Sequence, residues 1–494
     1  MTPLSRRDLL VGGGCAVGGA AIAGTAFMLS TRPADVATPT PAPPITVDSW
    51  IAKRQVPYLI GHRGAGGVLP EHSLPGYLQA LDWGAEALEI SVVLSADDVL
   101  FCLHDLTLDR TTTLTGRARS KTSAQLDDAK ISIPLLGPGW QGPNMPAVPR
   151  LSTVLDQVGG RAVLCVEPKD DAAYPFLVAL LEERGLKDAT MIKLDFSSPR
   201  IEEAKAAGFH VFAYLGNVDV TTEANIKSLA ARLDPKRDAM ILPTRQNQDL
   251  LPDKLFQAAV ATGIPVWVFP VHRRHEVDFF ARLGVQGMLV AAMGYANGRI
   301  GQAKTDDWAS GKLTPGQLTR NPYVNAFAVQ WPDTGSISIP TPGRQAFICL
   351  GQFAPVGAPS YRIAFDVAFD PLPSDSWQHV SIAFCHTDDR YYEHRLGDAD
   401  GYHALLRADG SMGLYAHVEG DPNGQQLVKP AASAPLKAGM WARMTLDVNA
   451  TGFQWSRDDG TVVEANDTRF RGGYFHIGSS ATDGAIKLRA LTLA

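Results

Sequence analysis

The sequence predicts an α/β protein: a TIM-type (β/α)8 barrel followed by an all-β jelly-roll sandwich. Three observations carry that prediction. From residue 58 to about 291, short β-rich apolar runs alternate with helix-periodic segments, the pattern of a parallel sheet with crossover helices. Two of these runs end in histidine, His62 and His104, and the run between them carries Glu89. Ionisable residues at strand ends are how such a barrel builds a site at its C-terminal mouth. After residue 323 the helical pattern gives way to short alternating strands, several separated by turn signals such as Asp409-Gly410 and Asp459-Gly460.

Taken in order, the chain begins with Ser5-Arg6-Arg7-Asp8-Leu9-Leu10 and an uncharged, Gly/Ala-rich run from Val11 to Leu29. A twin arginine before a weakly hydrophobic core predicts a twin-arginine-type export signal over 1–30, and hence an extracellular or cell-envelope protein. The rival is a permanent anchor, which so much Gly and Ala would insert poorly. Residues 31–46 form a Pro/Thr/Ala linker. The barrel is expected over 47–300, with strands at 58–61, 87–94, 99–104, 162–167, 189–195, 210–215, 239–243, 265–270 and 286–291. Helices are expected at 73–83, 151–157, 172–184, 199–207, 222–231, 253–262 and 275–283. Nine strands for eight barrel positions leave one accessory or misassigned. Residues 113–150, rich in Gly and Pro, are expected to form an excursion over the mouth, a place for substrate-selecting contacts. Residues 301–322 are expected to link the barrel to the sandwich at 323–494, whose strands fall at 345–350, 360–368, 378–385, 402–407, 412–418, 441–448, 452–456, 473–477 and 486–493.

Composition is that of a globular protein, 45% hydrophobic and 19% charged, and the net charge of −6 offers no basic surface for nucleic acid. Oligomeric state is not legible. Outside the signal stand Cys102, Cys165, Cys349 and Cys385. Cys102 precedes His104 by two residues and Cys165 precedes Glu167 by two, so each is expected on its neighbour's inward face, one layer below the site. They are buried thiols or a disulfide; Cys349 and Cys385 lie on candidate strands and are a second possible pair.

His62-Arg63-Gly64, Pro70-Glu71-His72-Ser73, Glu89-Ile90-Ser91, His104-Asp105, Leu108-Asp109-Arg110-Thr111-Thr112 and Glu167-Pro168-Lys169 follow one another in that order. This series resembles the glycerophosphodiester phosphodiesterase family, whose usual motifs are H-R-G, P-E-N-T, E-x-D, H-D, L-D-R-T-T and E-x-K. The resemblance covers roughly residues 58 to 295. It implies a phosphodiesterase, exported if the N-terminal signal acts, that hydrolyses glycerophosphodiesters, or glycerol-phosphate polymers, to glycerol phosphate and an alcohol. His62 and His104 would exchange acid and base roles, suited to a group that titrates near neutral pH. Arg63 would place its planar fork on the phosphate or else form a rim salt bridge, and Lys169 is a second phosphate candidate. Trp267 would wall the glycerol pocket or else pack the core.

The metal implied is Ca²⁺ or Mg²⁺, held by Glu89 and Glu167 with Glu71 nearby, an oxygen set suited to hard cations. Here Ser91 replaces the usual aspartate, a weaker ligand that still points at the site. His72 is new to the motif and is expected on the solvated surface. The last strand, around residues 284–290, carries no acid where the family has two. These departures keep two other readings open: a catalytically degenerate barrel acting as a cell-surface glycan- or wall-binding protein, and a phosphodiesterase for a phospholipid headgroup. The C-terminal stretches ADGSMGLYAHV, WARMTLDVN and GAIKLRALTLA resemble concanavalin-like modules, which implies a possible glycan ligand. Trp377, Tyr391, Tyr392, Tyr402 and His403 are candidate binding aromatics, or else packing residues.

Overall fold

The structure, a computed structural model, describes residues 44–494 apart from 247–248, 319–328, 341–345, 391–398, 422 and 481–482. The expected export signal and most of the linker after it lie outside the described residues. No helix among the described residues is long and apolar enough to cross a membrane.

The first half is built on strands β1 (Tyr58–Gly61), β2 (Ala87–Leu94), β3 (Leu100–Cys102), β4 (Val163–Pro168), β5 (Thr190–Asp195), β6 (His210–Tyr214) and β7 (Ala239–Pro243). A small hairpin, β8 (Arg245–Gln246) and β9 (Asp249–Leu250), precedes β10 (Val266–Val271) and β11 (Gly287–Val290). The nine-stranded sheet runs β1-β11-β10-β7-β6-β5-β4-β2-β3, and β1 also pairs with β2. Because β3 runs antiparallel on β2 alone, the other eight strands close into a parallel barrel. The surplus ninth strand of the sequence reading is therefore β3. All seven expected helices are present, from Leu74–Asp82 to Arg274–Arg282. Ser73 caps the first by accepting the Gly76 N–H at 3.1 Å.

The two-residue period of the strands divides the barrel interior. Tyr58, Ile60, Cys165, Met191, Phe212 and Trp267 pack into one apolar cluster that fills the barrel's floor. Two residues farther along the same strands stand His62, Glu167, Lys193, Tyr214 and Phe269. Cys165 thus lies one layer below Glu167, as expected. Cys102 does not lie below His104. It sits on β3, outside the closed barrel, and packs in the cluster between strands and helices. Different clusters separate it from Cys165, and all four cysteines are buried free thiols.

Residues 103–148 pack on a small core of their own, with Phe101, Leu108, Leu126 and Ile131. This excursion reaches the second domain: Gly139 N–H donates to the Gly311 carbonyl at 2.8 Å, and the Lys312 ammonium lies 4.4 Å from the Trp140 ring.

The second half is a β-sandwich of two seven-stranded sheets. All nine expected strands are found, with further strands at Gln317–Leu318, Gln330–Asp333, Ser336–Pro340, Gln425–Gln426 and Val462–Ala465. The described part of the stretch expected as a linker, residues 301–318, packs with this domain. Trp308 is fully buried in the sandwich core and donates its indole N–H to Gln317 at 2.7 Å, while Thr305 bridges Thr492. Of the candidate binding aromatics, Tyr402 and His403 are buried and Trp377 is exposed; Tyr391 and Tyr392 lie outside the described residues.

Asp389 joins the two halves. It belongs to the sandwich, after the strand His379–His386, yet its carboxylate accepts the backbone N–H groups of Arg274 and His275 at 2.7 and 2.9 Å. Those N–H groups open the barrel helix Arg274–Arg282, so a side chain from one domain caps a helix of the other. The Tyr295 hydroxyl adds a third bond at 2.7 Å.

Candidate active site

The site begins where β1 ends. The chain turns out of the barrel through Arg63 and Gly64, both left-handed with φ of 53° and 77°. A Cβ on Gly64 would lie 3.1 Å from the Tyr77 backbone, so glycine serves both conformation and space. Arg63 and His72 (φ 54°) are non-glycine residues in the same strained region, and such strain concentrates at functional sites. They hold each other, since the His72 N–H donates to the Arg63 carbonyl at 3.0 Å.

From this turn one chain of ion pairs crosses the mouth. His104 Nδ1 donates to Asp105 at 2.7 Å, and Arg110 Nε donates to the other Asp105 oxygen at 2.6 Å. Arg110 also reaches Glu71 at 2.7 Å, and Arg63 Nη1 donates to both Glu71 oxygens at 3.1 Å. The backbone N–H of Arg63 donates to Glu89 at 2.9 Å. Lys193, on β5, then bridges Glu89 and Glu167, 2.9 Å from each. Lys169 reaches Glu167 at 2.9 Å, and Ser91 Oγ donates to its second oxygen at 3.1 Å.

Burial and charge set the protonation states. Burial alone would raise Glu71 and Glu167, but Arg63 with Arg110 in one case, and Lys193 with Lys169 in the other, bring each down to about 2. Glu89 is likewise held well below the carboxylate range against its burial, chiefly by Lys193 and His62. Asp105 is lowered because the bonds from His104 and Arg110 outweigh burial. Burial pushes Lys193 down, but Glu167 and Glu89 more than reverse this and keep it an ammonium. Burial lowers His62 well below the usual imidazole range, against the pull of Glu89. It lowers His104 as well, against the Asp105 hydrogen bond. Both imidazoles are therefore neutral near pH 7 and able to take a proton. Asp105 holds the His104 Nδ1 proton, which leaves Nε2 as the basic nitrogen. His62 Nδ1 is buried with no hydrogen-bond partner among the described residues.

His62, Arg63, Glu71, Glu89, His104, Glu167 and Lys169 thus stand at one mouth. Trp267 does not. It is fully buried on the floor with its indole N–H on the Tyr58 hydroxyl, because its place on β10 is two residues short of the rim. Phe269, the next inward residue, takes the position expected of Trp267. His72 is not on the surface either. It is 1% exposed, bonds the Tyr77 hydroxyl at 2.7 Å through Nδ1, and stacks on His104 with ring centroids 6.5 Å apart. Burial lowers it to about 3, so it stays neutral.

The side chains do not fit the expected Ca²⁺ or Mg²⁺ centre. Glu71 faces two arginines, and Glu89 and Glu167 face the Lys193 ammonium. Among the described residues no group of three or more His, Cys, Asp or Glu side chains is placed to hold a metal ion. The sequence reading also missed Lys193, Arg110, Tyr214 and Phe269 as site residues. Lys193 stands two residues beyond inward-facing Met191, so the strand period puts it on the inward face, and the pairing of β4 with β5 brings it level with Glu167.

The barrel and its mouth define a (β/α)8 protein with paired histidines in an ion-paired polar site. Residues 62–175 match the model of the Glycerophosphoryl diester phosphodiesterase family, so the resemblance carried by the motifs is shown over the first part of the barrel. A probable glycerophosphodiester phosphodiesterase of Mycobacterium tuberculosis is 46% identical over 70 residues, 14% of this chain and 26% of that protein. A glycerophosphodiester phosphodiesterase of Caldanaerobacter subterraneus is 23% identical over 237 residues, 47% of this chain and 92% of that one. The chain spans about a quarter or less of the length of the first curated relatives it matches. Among solved structures, a glycerophosphoryl diester phosphodiesterase from Silicibacter pomeroyi is 21% identical with a TM-score of 0.41, covering 48% of this chain and 90% of its own. An Oleispira antarctica phosphodiesterase in complex with sn-glycerol-3-phosphate is 19% identical with a TM-score of 0.42, covering 49% and 96%.

Proposed function

We propose that the barrel hydrolyses glycerophosphodiesters, or glycerol-phosphate polymers, to glycerol phosphate and an alcohol, with His62 and His104 carrying the protons. The observation behind this reading is the pair of neutral histidines at one mouth, both within the fields of Arg63 and Glu89. A glycerol hydroxyl attacks phosphorus and one neutral histidine takes its proton, while the other, which takes up a proton from solvent as the anionic phosphodiester binds, gives that proton to the departing alcohol oxygen as its bond to phosphorus breaks. Water then opens the cyclic phosphate with the two roles exchanged, which restores both histidines. The Arg63 guanidinium and the Lys169 ammonium are the groups available to the phosphoryl oxygens, where developing negative charge rewards fixed donors.

The test is release of glycerol phosphate from glycerophosphocholine. His62→Ala and His104→Ala should each lower kcat by about a thousand-fold, the scale of a lost proton carrier. Unchanged turnover in His104→Ala would sink the assignment. A second reading, a degenerate barrel that only binds, draws on the ion-paired carboxylates; turnover by the wild type that disappears in His62→Ala would exclude it. A phospholipid headgroup as substrate is separated by assaying both classes side by side. We also propose export through the twin-arginine segment, supported by Arg6-Arg7 and the Gly/Ala run. Retention of an Arg6→Lys/Arg7→Lys variant inside the cell is the expected result.

A further inference from the structure

We propose that the Lys193 ammonium takes the place of a divalent ion, so that this mouth works without a resident metal. The proposal rests on the phosphodiesterase reading for its mechanistic meaning, but the site itself is argued from geometry.

Lys193 Nζ lies 2.9 Å from both Glu89 and Glu167, at the centre of the set from which an oxygen-bound cation would be built. It is 4% exposed and fixed at mid-strand on β5, so it is a permanent part of the interior. Its other faces are aromatic: the Tyr214 and Phe269 rings lie 5.3 and 5.5 Å from the ammonium. Ring faces attract an ammonium, and of the two residues only Tyr214 carries an oxygen, its hydroxyl on Glu167, far short of the six or so oxygen ligands a hard dication needs.

The charges agree. Ser91 in place of an aspartate removes one negative charge, and an ammonium in place of a divalent ion removes one positive charge. Lys193 and Lys169 together match the two negative charges of Glu89 and Glu167. Ser91 fits this arrangement, because its hydroxyl donates to Glu167, which an aspartate could not do. The serine that weakens a metal site therefore completes a lysine site. Lys193 is a positioning residue here: it orients the two carboxylates, one of which holds the Arg63 backbone.

The test is calorimetric titration of Mn²⁺, Ca²⁺ and Mg²⁺ into the full chain after removal of metals with EDTA, alongside the Ser91→Asp/Lys193→Ala double variant. The wild type should bind none of the three, and its turnover of glycerophosphocholine should stay within about two-fold with or without EDTA. The double variant, with its third acid restored and its lysine removed, should bind Mn²⁺ and become EDTA-sensitive. Wild-type binding that Glu89→Gln abolishes would overturn the proposal. So would turnover lost to EDTA and restored by one of the three ions, which needs no variant to fold. A double variant with native circular dichroism and no ion binding would overturn it too. Failure of the phosphodiesterase reading looks different: no turnover under any condition, with the calorimetry still deciding what occupies the site.

Discussion

The floor and the mouth of the barrel are lined by the same strands, two residues apart, and their chemistry is opposite. On the floor Cys165, Met191, Phe212 and Trp267 pack without charge. One step on, Glu167, Lys193, Tyr214 and Phe269 face an interior crossed by ion pairs. The floor gains from removing apolar surface from water. The mouth forgoes that gain to hold charged groups at fixed distances, and stays folded because each buried acid has a cation within hydrogen-bond reach. A barrel can therefore carry a demanding polar site as long as the charges balance and the layer beneath is apolar.

The comparison is tested most severely by one substitution in each layer. Lys193→Met leaves Glu89 and Glu167 buried without their shared cation, and should cost about 3–5 kcal/mol of stability together with most of the turnover. Trp267→Ala should cost a similar amount, about 3–5 kcal/mol, through the cavity left among Tyr58, Trp50 and Phe212. Its kcat, measured well below the melting transition, should fall far less than that of Lys193→Met. Urea denaturation and turnover on the same samples give both numbers. Equal loss of kcat in the two variants would erase the division between floor and mouth.

That division was only partly legible in the sequence. Strands and helices were, because apolar residues repeat at two and at three to four residues wherever one face is buried. The acids and histidines of the mouth were, because they end strands in motif order. Lys193 was not, since a lysine inside an apolar run has no meaning until its register against Glu167 is known; pairing of β4 with β5 supplies that register. Trp267 takes the second of its two expected places, the core, a choice the sequence leaves open because an aromatic run shows no boundary between wall and floor. His72 was given to solvent on its polarity, while the turn at Arg63 folds it inward. The stretch 301–322 reads as a linker because its polar composition hides one large anchor, Trp308.

Acid should separate the layers more gently. Glu71 and Glu167 have folded values of about 2 against ordinary values of 4.5, so they bind protons more readily unfolded than folded. Their contribution is complete above about pH 4.5 and is lost as pH falls towards about 2, with an upper bound of about 3 kcal/mol for each. Stability followed from pH 7 to pH 2 should fall steeply, and Glu71→Gln should flatten the curve while lowering its plateau at pH 7. The floor has no such titration. A Glu71→Gln curve as steep as the wild type's would show that the acid dependence arises elsewhere.

The smallest expected effect lies outside both layers and serves as their control. Asp389 caps the helix Arg274–Arg282 from the neighbouring sandwich, where its negative charge meets the helix's free N–H groups. Removing it in Asp389→Ala should cost about 1–2 kcal/mol, the range of a lost N-terminal cap. The helix follows β10, which carries Phe269 in the mouth and Trp267 on the floor, but Asp389 touches neither residue. Turnover should therefore stay as in the wild type while the melting temperature falls. If Asp389→Ala instead lowered kcat as much as its stability, the sandwich would be helping to shape the mouth. The contrast between floor and mouth would then depend on a second domain that neither layer contacts through this residue.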